Sequence, residues 1–63
     1  MDGVDPIAYM QGLAARLDQL DRAGVLRAMD DLEYVGEVLD PEFQDLAEQL
    51  MARLQARLEQ LQR

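Results

Sequence analysis

Phe43, Leu46, Ala47, Leu50, Met51, Leu54, Leu58 and Leu61 recur at spacings of three and four residues. At about 100° per residue that spacing gathers all of them on one stripe of a helix, and no glycine or further proline interrupts the run after Pro41. In front of it, Asp40 offers a capping carboxylate and Pro41 sits at the first helical position, where its missing N–H costs nothing. Glu42, Asp45 and Glu48 fall early and Arg53, Arg57 and Arg63 late, the order that the helix dipole favours. Residues 41–62 are therefore expected to form one long amphipathic helix, and the rest of the chain has to cover its stripe.

The same grammar recurs upstream. Asp5-Pro6 repeats the start signal, and Tyr9, Met10, Leu13, Ala14, Leu17 and Leu20 form a second stripe, so a helix is expected over 6–22. Gly12 weakens it by roughly 1 kcal/mol relative to alanine. Val25, Ala28, Met29, Leu32, Val35 and Leu39 share a third face, which predicts a helix over 25–39 that must end before Pro41. Between these segments, Gly24 in a left-handed conformation would stop the first helix and pair Leu20 with Val25. The alternative is a single long first helix kinked at Gly24, because no capping residue stands immediately before Val25 and the stripe runs on with little drift. Met1–Val4 reads as a short polar lead.

The expected fold is all-α: one domain, 1–63, a small antiparallel helical bundle of three helices, or a helical hairpin with the kinked first helix. A chain of 63 residues buries only about 60% of its unfolded surface, so completion by oligomerisation or by a partner is expected as well. Length supports this. The last helix would run about 34 Å and each preceding one about 22 to 25 Å, which would leave Leu54, Leu58 and Leu61 largely beyond the reach of the middle helix; the alternative is that the first helix folds back over them and closes a three-helix bundle.

The side-chain alphabet removes most chemistries. There is no Cys, His, Ser, Thr, Asn, Lys or Trp. Disulfides, Cys/His metal sites, hydroxyl or thiol nucleophiles, histidine acid–base catalysis and phosphate loops of the GxxxxGK[ST] type are excluded together. An EF-hand register from Asp31 to Glu42 fails, because Val35 and Leu39 occupy ligand positions and Pro41 intrudes. No cofactor and no metal are expected, and the chain is read as a non-enzyme.

Charge is the most uneven feature. The formal net charge is −7, all six basic residues are arginines, and none lies between Arg27 and Arg53. That interval holds Asp30, Asp31, Glu33, Glu37, Asp40, Glu42, Asp45 and Glu48, which should combine around the Asp40 turn into a negative surface. Nucleic acid and anionic membrane are disfavoured as partners. With no apolar run of about 18 residues and no signal-like N-terminus, a soluble cytoplasmic protein is expected.

Function is expected to be a non-enzymatic protein–protein interaction module, a small subunit or adaptor that self-associates, as a homo-oligomer, or docks on a larger protein. Its apolar interface would comprise Phe43, Leu46, Leu50, Leu54, Leu58 and Leu61, and its acidic surface Asp30, Asp31, Glu33, Glu37, Glu42 and Asp45. The alternative is an acidic inhibitor or nucleic-acid mimic that binds a basic partner protein. One internal echo also stands out: residues 15–22 (ARLDQLDR) and 56–63 (ARLEQLQR) match at six of eight positions. Two exposed amphipathic helices written in so few residue types converge readily on the same filler.

Overall fold

Asp5 accepts a hydrogen bond at Oδ1 from the Ile7 amide, 3.0 Å, which caps a helix with proline at its first position. The computed structural model describes residues 5–63, so the polar lead at 1–4 lies outside the described residues. Three helices follow: α1, Pro6–Arg16; α2, Arg22–Val38; and α3, Gln44–Leu61. Short 3-10 turns precede α2 (Leu17–Gln19) and α3 (Pro41–Phe43). All three helices touch one another, with α2 and α3 sharing the most extensive contact. The fold is a small all-α bundle with successive helices antiparallel.

Each helix contributes one buried stripe. Met10, Leu13 and Leu17 meet Val25, Ala28, Leu32 and Val35 of α2 and Ala47, Leu50 and Leu54 of α3. Among the described residues no polar or charged residue is fully buried, so the core is held by apolar burial alone.

The corner between α1 and α2 differs from expectation. Gly24 neither ends nor kinks a helix: it is the third residue of α2, and no described glycine has a positive φ. The break falls four residues earlier, at Leu20 and Asp21, both extended (ψ 139° and −178°). Asp21 is the cap, its Oδ1 accepting from the Gly24 amide at 2.8 Å. A side chain at position 24 would crowd this corner, because a Cβ there would lie 3.1 Å from Asp21 Oδ1 and 3.2 Å from Leu20 Cδ2. Glycine serves close packing here, not handedness. The first helix also ends earlier than 22, its last turn tightening over Leu17–Gln19 before the chain extends.

Two side chains of α3 satisfy backbone carbonyls freed at the two corners. Arg57 Nε donates to the Leu20 carbonyl at 3.1 Å, and Gln44 Nε2 donates to the Gly36 carbonyl at 2.9 Å and, more weakly, to Leu39 at 3.4 Å. At the second corner the Asp40 side chain makes no capping bond. Its carbonyl instead accepts from the Phe43 amide at 2.9 Å, closing the 3-10 turn, and the α-helix proper starts only at Gln44. Proline at 41 tolerates this tighter turn as readily as an α-helical one.

Two substitutions test this account. Asp21→Gln, which gives the first echo the residue that the second carries at Gln62, removes the cap and should cost about 1 kcal/mol. Gly36→Ala adds a methyl group in the last turn of α2, where nothing lies within 4 Å, and should stabilise by up to about 0.5 kcal/mol. Urea unfolding followed by circular dichroism reads both. An unchanged midpoint for Asp21→Gln would place the corner's stability elsewhere.

Candidate functional site

The leucine stripe of α3 is spent largely inside the chain. Leu54 is 0% and Leu50 2% exposed, while Phe43, Leu58 and Leu61 are half-buried against the same core. Leu46, at 38%, is the exposed member. Leu54 thus lies within intrachain reach, contrary to the expectation from helix length. α1 and its 3-10 turn fold back over α3, and Leu17 at 2% exposure is the residue that the length argument left out.

The acidic residues behave differently. Asp30, Asp31, Glu33, Glu37, Glu42 and Asp45 are all exposed, as are Asp40 and Glu48. The α2–α3 hairpin brings its corner-proximal acids, from Glu37 to Asp45, together at the Asp40 end of the bundle. The Arg57–Leu20 bond fixes the opposite end, where Arg16, Arg22, Arg57 and Arg63 are interleaved with Asp18, Asp21 and Glu59 and the charges nearly balance. The molecule is therefore electrically polar along its axis. Among the described residues one ion pair forms, Arg27 Nε to Asp31 Oδ2 at 3.9 Å, with both side chains well exposed, so water screens most of it.

Two apolar residues stand out among these acids. Tyr34 is 68% and Val38 57% exposed, one helical turn apart on the outer side of α2. The sequence contained the signal: positions 34 and 38 lie opposite the stripe of Val25, Leu32 and Leu39, and a tyrosine and a β-branched residue are poor choices for a merely soluble helix face. Leu26, 41% exposed, lies farther along the same helix.

A shallow groove of about 190 Å³ separates α1 from α2, lined by Tyr9, Arg16, Leu20, Arg27, Ala28 and Asp31. The Arg16 guanidinium carbon lies 6.0 Å from the centroid of the Tyr9 ring, at the outer limit of a cation–π contact. Tyr9 Oη is buried and has no hydrogen-bond partner among the described residues. Burial, with the nearby Asp31 carboxylate, raises the Tyr9 pKa above its usual 10.0 against the opposing pull of Arg16 and Arg27. The phenol therefore stays neutral at physiological pH and offers a hydrogen bond, not a charge or a nucleophile. Among the described residues no three potential metal ligands cluster. No described helix is long and apolar enough to cross a membrane.

No family model, curated protein or solved structure matches this chain.

Tyr9 gives a pH test. Because its pKa is raised on folding, the contribution is complete below the unfolded value of 10.0 and is lost as pH rises through the folded one. Tyr9→Phe should leave stability at pH 7 unchanged or raise it by on the order of 1 kcal/mol, since an unpartnered hydroxyl is removed. It should also flatten the fall in urea midpoint above pH 10. Parallel pH profiles for the two proteins would show that Tyr9 does not titrate abnormally.

Proposed function

We propose that the chain is a non-enzymatic protein-interaction module whose acidic end docks on a basic surface of a partner protein. The observation that carries this reading is the segregation of charge. Eight carboxylates lie between Arg27 and Arg53 without one basic residue, all are exposed, and the hairpin gathers the central ones at one end. A field of one sign concentrated at one end steers an oppositely charged partner and orients it before contact. Self-association through the α3 stripe draws less support, because Leu50 and Leu54 are already covered by α1 and α2. Imitation of nucleic-acid phosphates would use the same carboxylates and is one form that a basic partner could take.

The reading is tested with a fluorescently labelled oligo-arginine peptide. Binding is expected at 50 mM salt and should weaken steeply by 500 mM, as screening of exposed charges requires. Joint replacement of Glu37, Glu42 and Asp45 by Gln, Gln and Asn should reduce both the affinity and its salt dependence. Absence of binding at low salt would overturn the proposal. Sedimentation of the chain alone addresses self-association directly: a mass of one chain at high micromolar concentration is expected.

A further inference from the structure

Resting on that reading, we infer that the partner presents a basic amphipathic helix, and that Tyr34 and Val38 of α2 receive its apolar side chains. The two residues are separated by one helical turn and exposed, so they form two ridges about 6 Å apart, with Arg27 about two turns toward the N-terminus of the same strip and paired to Asp31. Counting roughly 100° per residue, Tyr34 and Val38 form a strip about 40° wide. Asp30 and Glu37 lie on one side of it and Asp31 on the other, all exposed. Carboxylates on both flanks of an apolar pair complement a segment with apolar residues three or four apart and arginines or lysines on either side. A helix supplies that spacing, and laying an apolar stripe against a helix face is an established recognition mode.

The strip is free first because it faces away from the stripe of Val25, Leu32 and Leu39, and helix length then keeps α1 clear of its Val38 end. α1 has 11 residues, about 16 Å, against about 25 Å for the 17 residues of α2. α1 lies along α2 at Ala28 and Asp31, where its Tyr9 lines the shared groove. The C-terminal third of α2, with Tyr34 and Val38, projects past that groove. Charge selects the occupant: a second copy of this chain would bring acid against acid at this strip, whereas a cationic helix neutralises both flanks.

The experiment uses the whole chain and three 14-residue labelled peptides of equal charge. One places leucines in a helical stripe among arginines, one scrambles the same residues so that the stripe is lost, and one replaces leucine by glutamine. The striped peptide is expected to bind about tenfold tighter than the other two, on the order expected for partial burial of one aromatic and one aliphatic side chain. Tyr34→Gln with Val38→Gln should abolish that preference while leaving the salt dependence unchanged, and circular dichroism confirms that the exposed substitutions leave the fold intact. Asp30→Asn with Glu37→Gln should instead reduce affinity for all three peptides. Equal binding of the three peptides, or an unaffected Tyr34/Val38 variant, would overturn the inference and leave charge-led docking standing. If none of the peptides binds, both fail.

Discussion

The whole arrangement depends on a sharp corner made where the stripe of apolar residues would otherwise continue. At Leu20 and Asp21 the backbone leaves the helix, and two polar contacts make that departure affordable: Asp21 takes the free amide of Gly24, and Arg57 reaches from α3 to the Leu20 carbonyl. A helix end buried without partners for such groups costs roughly 1 to 3 kcal/mol per group. Because the corner closes, Met10, Leu13 and Leu17 fold back over Leu50 and Leu54, and a chain of this length gains a third layer for its core. The second corner works in the same way, with Gln44 in the place of Arg57.

Helix content, three apolar stripes and the hairpin around Asp40 were legible in the sequence because each rests on periodicity, which is local. The corner was not. Glycine drew attention at Ala23-Gly24, yet the residue that ends the helix is Asp21, whose capping role depends on where α1 stops. The echo makes the point sharply. Residues 15–22 and 56–63 differ only at Asp18/Glu59 and Asp21/Gln62, but the first octet breaks at Leu20 while the second stays helical to Leu61. Short carboxylates compete for nearby amides and favour turns and caps, whereas glutamate and glutamine favour the helix interior. Two substitutions by longer side chains accompany the change from a corner to a straight rod.

The candidate site was half legible. Composition alone located the acidic residues and their exposure followed from the helical faces, whereas the apolar interface was placed on α3 by comparing helix lengths. That comparison set α3 against α2 and left out the 3-10 turn after α1, which carries Leu17 into the same core as Leu54. Tyr34 and Val38 belong to none of the three stripes, and an isolated exposed apolar residue is ordinary. Their significance comes from adjacency to carboxylates across a helical turn, which is a property of the folded surface. Among the described residues no polar or charged residue is fully buried, and the buried polar side-chain atom without a partner is the Tyr9 hydroxyl.

Arg57 and Arg16 occupy matching places in the echo, yet only Arg57 holds a carbonyl of the other octet; Arg16 lies by the Tyr9 ring. The clamp is thus built between the two near-identical segments of one chain. Were the corner straight, the Leu20 carbonyl would take the Gly24 amide as its helical partner and release Arg57, and Met10, Leu13 and Leu17 would swing out of the shared core. The short cap at Asp21, by occupying the Gly24 amide, keeps that carbonyl free for the clamp.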